Sequence, residues 1–359
     1  MINVTKSYLP PFEEYSKYLE KIWGNSWLTN QGPLVQELEQ KLKDYLGVEN
    51  LLFVSNGTIA IQLAIKALEL KGEIITTPFS YVATTTTVLW ENCTPVFADI
   101  EKRSLCIDPE KIEELITPNT SAILATHVFG HCCDVIKLEQ IAKRHNLKII
   151  YDGAHAFGVN IDKESIFNFG DVSTLSFHAT KLFHTVEGGA IITKDKALAD
   201  KLYLYRSFGH IGDDYYSIGI NGKNSEFHAA MGLCNLPKVA DFIQQRKAIS
   251  DLYKAQLIEL PLSFPEVAEN IKYNYSYFPV VFRNEDELLR TKTFLSNNKI
   301  NTRRYFYPSL NKLPYLNASG SCPVSEDISK RILCLPFYQL LSAEQVLAIC
   351  SLIKVTVSK

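Results

Sequence analysis

Short apolar runs recur through the first two thirds of the chain: LLFVS at 51–55, EIITT at 73–77, PVFADI at 95–100, AILATHVF at 122–129, KIIYD at 148–152, STLSFH at 173–178 and GAIIT at 189–193. Between them lie segments of helical period, such as AIQLAIKALEL and VIKLEQIAKRH; in the second, Val135, Leu138 and Ile141 fall on one side. Strand and helix patterns in alternation predict an α/β fold with a mostly parallel sheet covered by helices. After about residue 240 the rhythm changes to a helical DFIQQRKAISDLYKAQLIEL, a strand-like YFPVVFR, a helix near ELLRTKTFLSNN and a terminal helix from Ser342. The pattern therefore predicts a large α/β domain over 1–240, including an N-terminal segment, and a smaller α+β domain over 241–359.

Several predicted strands end in small or polar residues: Ser55-Asn56-Gly57-Thr58, Asp152-Gly153-Ala154-His155 and His178-Ala179-Thr180-Lys181. Ligands of open α/β sheets sit at the carboxyl ends of the strands, so the site is expected where these turns converge. The remaining composition narrows the chemistry. With 37 Lys and Arg against 39 Asp and Glu, the net charge of −2 offers no footprint for a nucleic-acid backbone. No apolar run approaches the roughly 20 residues that span a bilayer, and the charged start MINVTKSYLPPFEEYSKYLEK does not read as a signal peptide, so a cytoplasmic protein is expected. Eight cysteines without a CxxC pair read as free, mostly buried thiols, and neither they nor the eight histidines show metal-ligand spacing.

Three constellations can carry chemistry. Ser55-Asn56-Gly57-Thr58 runs from a strand end into an apolar helix, where free N–H groups suit a phosphate; the same residues also suit a plain helix cap. Asp152 follows the apolar KIIY, where burial of an acid calls for a cation or strong donors. A protonated heterocyclic nitrogen at roughly 4 Å, with an effective dielectric near 20, would attract it by about 4 kcal/mol; neighbouring backbone amides are the alternative partners. Lys181, just beyond a predicted buried strand in Ser176-Phe177-His178-Ala179-Thr180-Lys181, is either a solvated surface amine or a desolvated one nucleophilic enough to form a Schiff base.

A phosphate turn, an acid and a lysine in that order match the needs of a pyridoxal 5′-phosphate enzyme. With GNSWLTNQGP, SNGTIAIQLA, TPFSYVATT, YDGAHAFG, SFHATKLFHTVEGGA, GINGKNSEFHAAMG and ILCLPFY in sequence, essentially the whole chain resembles the DegT/DnrJ/EryC1/StrS family of nucleotide-sugar aminotransferases. The resemblance implies the fold of a fold type I, aspartate aminotransferase-like transferase. It implies Lys181 as the residue that carries the cofactor through an imine and shuttles the proton, Asp152 on the ring nitrogen, His155 near the phenolic oxygen and Tyr81 stacked on the ring. Gly57, Thr58 and Ser176 match phosphate contacts, and Asn221 matches a residue supplied by the neighbouring subunit, so a homodimer with shared sites is implied. Gly222-Lys223 stands where many members have an Arg after the shared Asn, and Ala179 where many have a Pro. Those departures touch substrate contacts and leave the lysine and the acid intact.

By the same resemblance the reaction passes the amino group of L-glutamate to a nucleotide-linked keto sugar, and the SFHATK form of the lysine motif looks like the branch that aminates ring position four, with a dTDP-linked 4-keto-6-deoxyglucose as the sugar. Amination at position three and a non-catalytic sensor of cofactor and sugar are the competing readings. A dehydratase of the family would have His at the position of Lys181. No GxGxxG follows the first strand and no GxxxxGK[ST] occurs, which disfavours nicotinamide and P-loop enzymes. Candidate substrate contacts are Trp27, Leu28 and Thr29, His184 and Glu187 beside the lysine, Arg206, His210, and Arg303, Arg304 and Tyr305. Arginine forks suit a diphosphate, although an exposed arginine is more often just a solvated side chain. A structural role is the alternative for His184 and Glu187, and a helix end for His210.

Overall fold

The computed structural model describes residues 1–316 and 320–357. Helices α1 (Phe12–Asn25) and α2 (Pro33–Leu46) precede strand β1 (Asn50–Val54), followed by α3 (Gly57–Ala67), β2 (Glu73–Thr76), α4 (Val82–Trp90), β3 (Thr94–Phe97), β4 (Thr120–Thr126), α5 (Val135–His145) and β5 (Lys148–Asp152). Two short strands, β6 (Asn160–Ile161) and β7 (Glu164–Ser165), lead to β8 (Val172–Ser176), β9 (Gly189–Thr193) and α6 (Lys196–Arg206). A hairpin of β10 (His210–Ile211) and β11 (Asp214–Tyr215) then precedes α7 (Glu226–Asn235) and α8 (Val239–Leu257).

The main sheet has the order β1-β9-β8-β5-β4-β2-β3. All its pairings are parallel except those of β9, which runs against both β1 and β8. The expected mostly parallel α/β sheet is thus present, and KIIYD and GAIIT form strands at the expected positions. The runs are continuously apolar because both faces are covered. Leu52, Ile74, Leu124, Ile150 and Ile191 face a core shared with α3. Their neighbours Ile75, Ile123, Ile149 and Tyr151 face the opposite core against α5, while Phe53, Leu175 and Ile192 pack with α2 and α7.

Local chemistry sets the helix ends. Asp134 caps α5 by accepting from the Lys137 N–H, and Val135, Leu138 and Ile141 are buried, as their spacing predicts. In α2, Leu34, Leu38 and Leu42 are buried and Pro33 occupies the first turn. The carboxylate of the fully buried Glu226 accepts from Leu34 N at 2.8 Å and Val35 N at 2.9 Å, so α7 caps α2 from a distant part of the chain.

Beyond α8 come β12 (Ile271–Lys272), which pairs with β6, then β13 (Pro279–Val281), α9 (Glu285–Asn297), α10 (Pro323–Arg331), β14 (Ile332–Cys334) and α11 (Ala343–Thr356). Strands β13 and β14 pair antiparallel, and α8, α9 and α11 close over a core that includes Tyr253, Phe282, Leu288, Leu333 and Ile353. Ser342 and Gln345 form a capping box at the start of α11. No helix among the described residues is long and apolar enough to cross a membrane.

Candidate active site

The carboxyl ends of β4, β5 and β8 and the start of α3 surround a cavity of about 480 Å³, closed on another side by Tyr277, Arg303, Tyr305 and Phe306 from the C-terminal third. Such a volume suits a small-molecule site.

Asp152 ends β5 and is 6% exposed. One carboxylate oxygen accepts from Thr84 Oγ1 at 2.7 Å and the other from Ala154 N at 3.1 Å. Burial pushes its carboxyl up from the ordinary value, while Thr84, the Ala154 N–H and Lys181 pull the other way. Lys181 lies on the loop between β8 and β9, and its Nζ reaches Tyr277 Oη at 3.5 Å. Burial lowers the lysine to about 8, against the opposing pull of Asp152 and Tyr81.

His155 shows how backbone geometry can select a tautomer. Its Nδ1 accepts from Phe129 N at 3.1 Å, so the neutral ring carries its proton on Nε2. Burial, reinforced by Lys181, drives its pKa well below the ordinary histidine value and keeps the ring neutral. Phe129 holds a left-handed backbone, φ 57°, which costs a side-chain-bearing residue about 1–2 kcal/mol. Its N–H is spent on His155, and its carbonyl accepts from Tyr273 Oη at 3.0 Å. Phe306 lies parallel to His155 with ring centroids 5.8 Å apart.

At the start of α3, Asn56 Oδ1 accepts from Ile59 N at 2.9 Å, while the N–H groups of Gly57 and Thr58 have no protein acceptor among the described residues. The cap and an anion cradle, alternatives in the sequence, thus do not exclude one another. Gly57 lies so near Ser176 that a Cβ on it would stand 3.1 Å from the serine Cβ. Tyr81 lines the cavity and is half exposed.

Of the expected residues, Gly57, Thr58, Tyr81, Asp152, His155, Ser176, Lys181, Glu187, Arg303 and Tyr305 meet in this one cavity. Three substrate expectations need correction. Arg206 is 1% exposed and bonds Glu39 at 2.6 Å and the Phe53 carbonyl at 2.9 Å, joining α6, α2 and β1. His184 is buried, with Nε2 on the Tyr8 carbonyl at 2.8 Å and Nδ1 accepting from Val186 N at 3.2 Å. Arg304 turns away to Glu285 and the Lys330 carbonyl, its guanidinium 3.5 Å from the centre of the Tyr307 ring.

Trp27, Leu28, Thr29, His210 and Asn221 are also outside this chain's own cavity. Trp27 Nε1 donates to the Thr29 carbonyl, the Leu28 carbonyl accepts from Glu226 N, His210 pairs with the Gly212 carbonyl, and Asn221 bridges to Ser207. Conversely, Tyr277, Ser80, Thr84 and Thr126 line the cavity without being expected there, and His178, from one of the turns expected to converge, lines it too. The usable signal for Ser80 and Thr84 was the unusual run of hydroxyls in TPFSYVATTTT after a strand end.

The chain matches the DegT/DnrJ/EryC1/StrS aminotransferase family over residues 12–354. It belongs to that family. Over 350 residues, 96% of this chain and 95% of the other, it is 43% identical to the dTDP-4-amino-4,6-dideoxy-D-glucose transaminase of Shigella dysenteriae. The structure of DesI in the presence of its TDP-sugar product superposes with a TM-score of 0.94 at 29% identity, covering 99% of this chain and 92% of DesI. The Bacillus subtilis ntda structure with bound cofactor pmp does so with a TM-score of 0.90 at 28% identity, covering 97% and 82%.

Members of the family depend on pyridoxal 5′-phosphate, and this chain is a transaminase that uses it on nucleotide-linked sugars. The donor set fits that cofactor: among the described residues, N–H groups at a helix start without a protein acceptor for a phosphate, a buried carboxylate with no cationic side chain bonded to it, and an amine of lowered basicity in the same cavity.

Proposed function

We propose that the protein transfers the amino group of L-glutamate to C4 of dTDP-4-keto-6-deoxy-D-glucose. The products are dTDP-4-amino-4,6-dideoxy-D-glucose and 2-oxoglutarate, the amino sugar serving a surface polysaccharide such as an O-antigen. The observation that carries the reading is Lys181, a half-buried lysine lowered to about 8 by desolvation that shares a cavity with Asp152. The sugar is assigned from the 43% identity to the Shigella transaminase.

Pyridoxal phosphate, when bound, supplies the electron sink for breaking a carbon–hydrogen bond and stores the amino group between the two substrates. Lys181 Nζ would take the proton from the α-carbon of the amino acid and pass it to the cofactor side, then carry a proton in the reverse direction to C4 of the sugar, a task suited to an amine whose pKa lies near the working pH. Asp152 would keep a proton on the ring nitrogen. The Gly57 and Thr58 N–H groups and the Ser176 hydroxyl would hold the phosphate, Tyr81 would lie against the ring, and the His155 Nε2–H would serve the phenolic oxygen, all of them residues that line the cavity. Arg303, Tyr305 and Glu187 form the sugar side, with Arg303 held by backbone bonds to Cys334 at 2.8 and 3.2 Å.

The reading includes a homodimer in which Asn221 completes the phosphate site of the neighbouring subunit and Trp27, Leu28, Thr29 and His210 border its sugar side. It is supported by large apolar side chains exposed on the N-terminal segment, Trp23, Trp27 and Leu28, and on the hairpin region, Phe208, Ile211, Tyr215 and Ile218. A cytoplasmic location is supported by eight cysteines that are all unpaired.

The test is incubation with pyridoxal phosphate, glutamate and either 4-keto-6-deoxy or 3-keto-6-deoxy dTDP-sugar, with the new nitrogen located by NMR. Amination at C4 is expected. Amination at C3 overturns the assigned position, and absence of 2-oxoglutarate with every keto sugar favours a sensor.

A further inference from the structure

Behind the Asp152 carboxylate lies a file of hydroxyls that the reaction outlined above does not use. Thr84 Oγ1 contacts Asp152 at 2.7 Å, Ser80 Oγ contacts Thr84 Oγ1 at 2.8 Å, and Thr126 Oγ1 contacts Ser80 Oγ at 3.1 Å. All three are buried: Thr84 at 0%, Thr126 at 1% and Ser80 at 2% exposure. They come from different elements, Thr126 from the end of β4, Ser80 from the turn after β2 and Thr84 from the first turn of α4.

The proton order in this file is forced. An ionised carboxylate only accepts, so Thr84 spends its single proton on Asp152. Ser80 must then donate to Thr84, and Thr126 to Ser80. Every O–H dipole points toward Asp152, and hydrogen bonds aligned head to tail in a dry interior strengthen one another. The opposing influence is burial, which favours the protonated acid at this position.

We propose that Thr84, backed by Ser80 and Thr126, is a positioning residue that keeps Asp152 ionised, so that the proton shared between this carboxylate and the cofactor ring stays on the ring nitrogen. The proposal rests on the cavity being the pyridoxal phosphate site. A donor to the carboxylate lowers its proton affinity; without it, the proton drifts from the ring nitrogen to the acid and the ring loses its positive charge. A threonine that merely filled space would leave that balance alone.

The experiment loads the parent, Thr84→Val and Thr84→Ser proteins with pyridoxal phosphate labelled with 15N in the ring. It reads the ring-nitrogen resonance by NMR and the cofactor affinity by release on dilution. Valine keeps the shape and removes the donor. The Thr84→Val resonance is expected to move toward the neutral-pyridine position with about tenfold weaker cofactor binding, while Thr84→Ser stays with the parent. Ser80→Ala, one bond further back, should move the resonance in the same direction by less, and it serves as the test if Thr84→Val does not fold. A variant resonance coincident with the parent's, or a Thr84→Ser protein as displaced as Thr84→Val, overturns the proposal alone. A parent that takes up no pyridoxal phosphate overturns the cofactor reading together with it.

Discussion

The two halves of the cavity are built by different means. Around Asp152, His155 and Lys181 the side chains sit at strand ends or on loops tied to them, and each polar contact is braced by another. Asn274 Nδ2 bonds the His155 and Phe157 carbonyls at 2.9 and 3.0 Å, Ser276 Oγ bonds the His155 carbonyl at 2.7 Å, and buried Arg246 bonds the Ser276 carbonyl at 2.9 Å, fixing the segment that presents Tyr277. Around Tyr81, His178, Glu187 and Arg303 the side chains are exposed, and His178 and Glu187 meet only at 3.6 Å. A rigid inner half suits a cofactor common to a family, because the chemistry tolerates little misplacement. An outer half of surface side chains can change its substrate without disturbing that machinery.

Substitutions that separate the halves should differ in kind as well as size. Lys181→Ala removes the proton carrier and should cut 2-oxoglutarate formation by about 10⁴-fold or more, with the folded state intact by circular dichroism. Turnover close to the parent's would place the reacting amine elsewhere.

Next in size is a difference in reactivity. In the cofactor-free protein, Lys181, lowered to about 8 from the ordinary 10.5, should be roughly a hundredfold richer in neutral amine at pH 8 than a solvated lysine. Because the pKa is lowered, the proton is lost as pH rises through about 8, so labelling by an amine-directed reagent should climb over that range. Peptide mapping that finds Lys181 no more reactive than surface lysines would show that burial does not tune it.

Arg303→Ala probes the outer half. It should raise the KM for the sugar nucleotide about tenfold or more while leaving the KM for glutamate within about twofold. Equal effects on both substrates would erase the division. The smallest functional change belongs to His184→Ala. It should leave the sugar KM within about twofold yet lower stability by about 1–3 kcal/mol, measured by denaturant unfolding, because it breaks the buried bridge that the imidazole makes between the Tyr8 carbonyl and the Val186 N–H. A large loss of sugar affinity would reinstate His184 as a substrate contact.

The same contrast explains what could be read in the sequence. Strand ends announce themselves, since an apolar run followed by Asn-Gly-Thr or Asp-Gly-Ala-His fixes both the position and the direction of the side chains. The turns that carry Lys181, Asp152 and Gly57-Thr58 could therefore be located in the sequence, while their roles came from the family resemblance. Tyr277 could not, because it reaches the cavity from a distant segment and nothing local distinguishes a tyrosine in YNYSYFP; in TPFSYVATTTT the run of hydroxyls draws attention, but nothing in it says which threonine meets Asp152. Arg206 misled for the opposite reason: it lies beside a motif, but Ala199, Leu202 and Arg206 recur at helical spacing and form the buried face of α6. That period was present in the sequence and pointed to a role in packing. The aminotransferase resemblance fixed the fold beyond what periodicity supports, since a βα rhythm alone is common to many enzymes.

Strand β9 returns beside β8, so the segment carrying Lys181 leaves and re-enters the sheet through adjacent doorways. Phe177 N bonds the Gly188 carbonyl at 2.7 Å and Thr185 N bonds the Phe177 carbonyl at 2.9 Å, which zips the base of the loop. The reactive nitrogen thus hangs from a bridge anchored at both banks. In the proposed reaction, any swing of that nitrogen has to come from the four methylenes of its own side chain.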